Sequence, residues 1–227
     1  GRAVSFDATD SEPGASLFFC RRLGADQYEE VLATGFFSRL RRSPRRQILL
    51  VTHGFNCQPE RDVFPRAVEL QLLCDRLAPD LVEVVPLIWP CDDDFGVVLD
   101  YWDDQASAEI SGHAFARLIG KFFDWRDRTA SDEVCLKHVN ILAHSMGNRM
   151  LRAALAKWAG DYGAPLAIFR NIFMMAADVA NECLEAGRDG AVIPASARNL
   201  VVYHAADDFA LRSSKVANLR NKIVTRR

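Results

Sequence analysis

His138-Val139-Asn140-Ile141-Leu142-Ala143-His144-Ser145-Met146-Gly147-Asn148 is the stretch whose reading decides the fold. Val139 to His144 reads as a short apolar strand, and the pattern from Met146 to Trp158 is helical. Ser145 therefore falls at a strand-to-helix junction. That is the layout of a nucleophile elbow, in which a sharp turn lifts the serine hydroxyl clear of the sheet. The flanking positions must be small so that strand and helix can approach, and here they are Ala143 and Gly147. Serine is a weak nucleophile unless geometry and a neighbouring base activate it. The reading therefore requires oxyanion donors, an acid and a histidine elsewhere in the chain. A serine that merely caps the helix is the plainer alternative.

Working outward, Gln47 to Thr52 is a continuous apolar strand of the kind buried on both faces. Asp62 to Leu77 has helical periodicity through Val63, Ala67, Leu70 and Cys74. Val82 to Trp89 reads as a strand stopped by Pro90, and Gln105 to Phe123 as a long amphipathic helix. Ile172–Ala176 and Leu200–His204 are the remaining strands of this region. Strands alternating with helices predict an α/β fold with a mostly parallel sheet covered on both faces. Such sheets gather their functional groups outside the carboxyl ends of the strands. Val4–Phe6 and Ser16–Cys20 read as short strands separated by the turn Glu12-Pro13-Gly14. No linker divides the chain, so residues 1–227 are read as one domain. Residues 1–46 supply N-terminal strands and a connecting helix, and residues 47–227 form the core.

The formal net charge of −2 gives no reason to expect nucleic acid as a partner. The arginines between Arg39 and Arg46 read as a solvated segment. No apolar run approaches the ~18 residues that span a bilayer, and no signal-peptide pattern follows Gly1. The six cysteines are scattered, with no C-x-x-C pair and no histidine at zinc spacing. They read as small buried hydrophobes in a reducing cytoplasm, with a disulfide framework as the alternative. No metal site and no organic cofactor is expected.

The sequence Val51-Thr52-His53-Gly54-Phe55-Asn56 follows the first central strand. Phe55 N–H and Met146 N–H are the natural donors to an oxyanion, with His53 and Gly54 forming the turn. The His53 side chain reads as a buried, hydrogen-bonded group rather than the base. In this arrangement the chain order is serine, then acid, then histidine. Asp178 and Asp208 both follow strands after Ser145. Asp208 is preferred because its strand comes later, and Asp207 is a minor option. Phe55, Trp89, Phe95, Tyr101 and Trp102 are candidates for an apolar acyl pocket, though core packing accounts for large aromatics as readily.

The motifs V-T-H-G-F-N, Trp89-Pro90, Y-W-D-D-Q-A-S-A from Tyr101, A-H-S-M-G-N-R, A-A-D-V and Y-H-A-A-D-D-F-A-L together resemble the DUF900 group of α/β-hydrolases. These are bacterial proteins described as esterase- or lipase-like. The resemblance runs from about Gln47 to the C-terminus. It implies an α/β-hydrolase fold, Ser145 as nucleophile and Asp208 as the aspartate that follows a strand. It leaves the roles of Tyr101, Asp104 and Ser107 underived. The family carries a last strand and a late histidine beyond the position of Arg227. His204, the only histidine after Ser145, is the alternative base. The resulting expectation is a cytoplasmic serine hydrolase acting on a small-molecule ester or amide. A catalytically silent binding protein of the same fold is the rival.

Overall fold

The computed structural model describes residues 16–91, 97–128, 137–163 and 167–204, and of residues 97–100, 102 and 103 the backbone alone. The expected strand at Val4–Phe6, together with Phe95, Cys135, Asp207 and Asp208, lies outside this description.

The described chain opens with a hairpin, β1 (Phe19–Gly24) and β2 (Gln27–Val31), paired antiparallel. Helix α1 (Ala33–Arg42) follows. The core then alternates β3 (Gln47–Thr52), α2 (Phe64–Leu77), β4 (Val82–Leu87), α3 (Val97–Arg128), β5 (His138–His144), α4 (Gly147–Tyr162), β6 (Phe169–Met175) and β7 (Ala197–Tyr203). These five strands form one parallel sheet in the order β4-β3-β5-β6-β7. The connections through α3 and α4 advance across the sheet in one direction, and that through α2 in the other. Right-handed crossovers therefore place α3 and α4 on one face and α2 on the opposite face. α3 and α4 do pack against each other.

β3 and β5 are central because their residues are apolar on both sides. Ile48, Leu49, Leu50, Ile141 and Ala143 are all buried. The core extends through Met150, Leu151, Leu155 and Trp158 of α4 and Phe115 and Ile119 of α3. A smaller cluster of Phe19, Phe37 and Trp125 fastens the hairpin and α1 to the end of α3.

Among the described residues β4 is an edge strand, and an exposed edge invites pairing with another chain. Here the Gln71 side chain of α2 closes it. Gln71 Nε2 donates to Val82 O at 2.9 Å, and Val84 N–H donates to Gln71 Oε1 at 2.9 Å. The amide thus occupies the place of a neighbouring strand residue. Arg45 also donates to Val82 O, at 2.7 Å.

Cys20, Cys57, Cys74 and Cys183 are thiols outside any disulfide, and the buried Cys91 donates its S–H to Cys57 O at 3.4 Å. Burial pushes the Cys57 and Cys183 thiols up from their ordinary values. Among the described residues no helix is long and apolar enough to cross a membrane.

Candidate functional site

Three adjacent strands, β3, β5 and β6, end side by side, with Thr52 level with Ala143 and His144 level with Met175. Their exits carry His53-Gly54-Phe55, Ser145-Met146 and Ala176-Ala177-Asp178. The sheet order therefore brings the two predicted oxyanion donors, the serine and one candidate acid to a single edge.

Ser145 has φ +50°, the left-handed region that a non-glycine residue enters only at a local cost of about 1–3 kcal/mol. The surroundings hold it there. Ser145 N–H donates to Met175 O at 2.9 Å, continuing the β5–β6 pairing one step past the strand ends. Ser145 O accepts Asp178 N–H at 3.2 Å and Asn148 N–H at 3.1 Å. The buried Asn148 side chain adds bonds from Nδ2 to Ala143 O at 2.9 Å and Ser145 O at 3.0 Å. Asn148 is thus a staple across the elbow, a role that the motif A-H-S-M-G-N-R contains but does not explain.

The elbow fits against the end of β3 only because two positions lack a side chain. A Cβ on Gly147 would lie 2.6 Å from His53 O, and one on Gly54 would lie 2.9 Å from Ser145 Cβ. Among the described residues neither Phe55 N–H nor Met146 N–H has an acceptor.

The His53 ring is committed to the fold. It stacks on Trp89 at 4.8 Å, with 5° between the ring planes. Its Nε2 accepts Trp89 N–H at 3.2 Å, which leaves Nδ1 to donate to Gly54 O at 3.0 Å. Burial lowers its pKa to about 4, against the partly opposing effect of these hydrogen bonds. A neutral ring with both nitrogens engaged supports the turn from below. Trp89 is 2% exposed and donates Nε1–H to His53 O at 3.1 Å, so it belongs to the same foundation. Phe55 meets Tyr101 edge-on at 5.7 Å.

Asp178 is buried. Its Oδ2 accepts Tyr101 O–H at 2.8 Å and Arg149 Nε–H at 3.1 Å. Burial works against the Arg149 charge, but Asp178 outweighs it and holds the guanidinium above its ordinary value. Arg149 also reaches Glu109 at 3.5 Å. Asp208, the preferred acid, lies outside the described residues, and His204 is exposed just past β7. Arg149 was not foreseen. Its only sequence signal is a basic residue four places after the serine, on the turn of α4 that faces Asp178.

A cavity of about 640 Å³ borders Trp89, walled by Phe19, Phe37, Leu50, Phe115 and Trp125. Ser145, Phe55, Met146 and Asp178 do not line it, so it is separate from this site. Among the described residues no group of three or more His, Cys, Asp or Glu side chains is placed to hold a metal ion.

The parallel sheet, the strained serine at the β5–α4 junction and the His-Gly turn after β3 define an α/β-hydrolase. The chain belongs to the family described as "Alpha/beta hydrolase of unknown function (DUF900)", whose model matches residues 29–224. Comparison with curated proteins and with solved structures finds no match.

Proposed function

We propose that the protein is a serine hydrolase that transfers an acyl group from a small-molecule ester, or secondarily an amide, through Ser145. The observation that carries this reading is the +50° φ of Ser145 beside two backbone N–H groups that have no acceptor among the described residues. A turn that only capped a helix has no use for that strain. Ser145 Oγ attacks the carbonyl carbon, and the developing oxyanion takes hydrogen bonds from Phe55 N–H and Met146 N–H. Each such donor typically contributes about 3–4 kcal/mol of barrier lowering. A histidine removes the hydroxyl proton and returns it to the leaving group, and an acid orients its ring. Asp178 Oδ2 already serves Tyr101 and Arg149, which supports Asp208 in the orienting role.

A fluorophosphonate probe applied to the full-length protein tests the proposal. Covalent labelling that Ser145→Ala abolishes is the expected result, and an unlabelled wild type sinks the reading. Nitrophenyl esters of increasing acyl length then report the chain length that the site accepts.

A further inference from the structure

Tyr101, Asp104 and Ser107 recur every three residues along the first half of α3, so they share one side of the helix. Tyr101 reaches Phe55 and Asp178, as described above. Asp104 is 1% exposed. A carboxylate in such a place is costly unless hydrogen-bonded. Its Oδ2 accepts Asn56 N–H at 3.1 Å.

Asn56 is itself in the left-handed region, with φ +50°. Its carbonyl oxygen accepts Arg61 Nη2–H at 3.3 Å. The residue after Phe55 is therefore gripped on both sides. The Asn56 N–H belongs to the peptide plane that follows Phe55, so holding it fixes ψ of Phe55. On the other flank, Gly54 lies so close to Ser145 that a Cβ there would overlap it. Of the two consecutive N–H groups in the turn, Asp104 takes that of Asn56, and that of Phe55 has no acceptor among the described residues.

We propose that Asp104 is a positioning residue for acyl transfer at Ser145. By taking the Asn56 N–H, its buried carboxylate holds residues 54–56 so that the Phe55 N–H is presented to the oxyanion. This rests on the serine-hydrolase reading. Asp104 does not touch the substrate or accept its proton; it acts through the turn.

The test compares wild type, Asp104→Asn and Asp104→Leu as full-length proteins. The readouts are kcat and KM on p-nitrophenyl butyrate and the rate of Ser145 labelling by a fluorophosphonate. Asn keeps an acceptor but loses the charge that strengthens the bond. Leu keeps the approximate shape and has no acceptor. Loss of a whole oxyanion donor lowers kcat by about 100- to 1000-fold, so a loosened one should cost about 3- to 10-fold in Asp104→Asn and 30-fold or more in Asp104→Leu. KM should stay within about threefold of wild type, because the bond matters most as charge develops. Labelling rates should fall in the same order, and the pH profile of kcat/KM should keep its shape. A role confined to folding would lower the melting temperature without this graded loss of kcat. Wild-type kcat in Asp104→Asn overturns the proposal, as does a folded Asp104→Leu no slower than Asp104→Asn. If Asp104→Leu does not fold, the Asn variant decides alone. An unlabelled wild type fells the hydrolase reading and this proposal together. A labelled wild type with an unchanged Asp104→Asn fells this proposal alone.

Discussion

Replacing Gly147 by Ala adds one methyl group where the first turn of α4 meets the end of β3. The new Cβ would sit 2.6 Å from His53 O, 2.9 Å from Thr52 Cγ2 and 3.1 Å from Thr52 O. Two of these three atoms are backbone. Thr52 is paired with Leu87 on one side and Ala143 on the other, so the obstacle cannot rotate away. The helix must retreat instead. Overpacking of this kind costs about 1–3 kcal/mol, and a rigid neighbour argues for the upper half of that range. Alanine recovers at most about 1 kcal/mol as the better helix former. A net loss of about 1–2 kcal/mol follows, or a fall in Tm of roughly 2–8 °C for a chain of this size. Gly160 provides the control on the same helix, because nothing lies within 4 Å of its Cβ position. Gly160→Ala should therefore stabilise, by about 0.5–1 kcal/mol. Urea and thermal unfolding of both variants measure the contrast. Retreat of α4 also moves Met146 N–H, so Gly147→Ala should lose at least about tenfold in Ser145 labelling rate while Gly160→Ala retains it. Equal stabilities for the two variants would refute the close approach on which the elbow depends.

Three further outcomes follow from groups around the site and the sheet edge. His53 titrates near 4 in the fold against 6.5 in an exposed chain, with burial as the main cause. Between those values the unfolded chain binds more protons, so stability is complete above about pH 6.5 and falls by about 3 kcal/mol as pH drops to 4. Urea midpoints across that range should show the loss, and His53→Gln should flatten it; an equally steep dependence in the variant removes His53 as the cause. Arg149→Met leaves the buried Asp178 without its cation and should cost about 3–5 kcal/mol, with part regained in the double variant carrying Asp178→Asn. Strict additivity in that double-mutant cycle would show that the pair is not coupled. Gln71→Leu leaves Val84 N–H on the β4 edge without its amide partner. It should cost about 1–3 kcal/mol and raise light scattering on warming, and a variant that stays monodisperse would show that the edge needs no cover.

What the sequence shows of this fold is what local chemistry dictates. β3 and β5 stand out because their apolar runs are buried on both faces, and the elbow because a strand meets a helix at a serine. β2 has no such signal. Gln27-Tyr28-Glu29-Glu30-Val31 is mostly polar with no residue fully buried, and it is held by hairpin pairing and by Glu60. The Glu60 carboxylate accepts bonds from Arg22 and from the Tyr28 hydroxyl, which hold its pKa down to about 2. The start of α3 is hidden for a related reason. The expected helix begins at Gln105, but the structure carries it back to Val97, and Tyr101 and Asp104 in the added stretch turn polar groups inward to Asp178 and Asn56. Amphipathic periodicity treats a buried aspartate as a break in the pattern. The connecting bonds were beyond reach for a different reason: Arg149 and Asp178 are 29 residues apart, and Asn56 and Asp104 are 48 apart. Only the strand order makes them neighbours.

The charges around Ser145 form a chain whose worth falls from its buried end to its exposed end. Asp178 and Arg149 pair with side chains 7% and 14% exposed. Arg149 and Arg152 share Glu109 of α3, and Arg152 also bonds Asp189 in the segment between β6 and β7, with Glu109 and Asp189 side chains 45% and 58% exposed. Water screens the outer pairs to about 0–1 kcal/mol, whereas the inner pair cannot be broken without stranding a charge. The inner end is also where the chain touches the elbow, because the residue whose carboxylate Arg149 holds gives its own N–H to Ser145 O. Tyr101 joins the same carboxylate from α3, and Asp104, one turn further along, holds the opposite flank of the site. One helix thus steadies both the turn after β3 and the turn after β6, with the strained serine between them. Ser145 is held directly by Met175 O, Asp178 N–H and Asn148, and α3 in turn holds Asp178 and Asn56, so the polar residues of α3 are as much part of the site's architecture as the elbow itself.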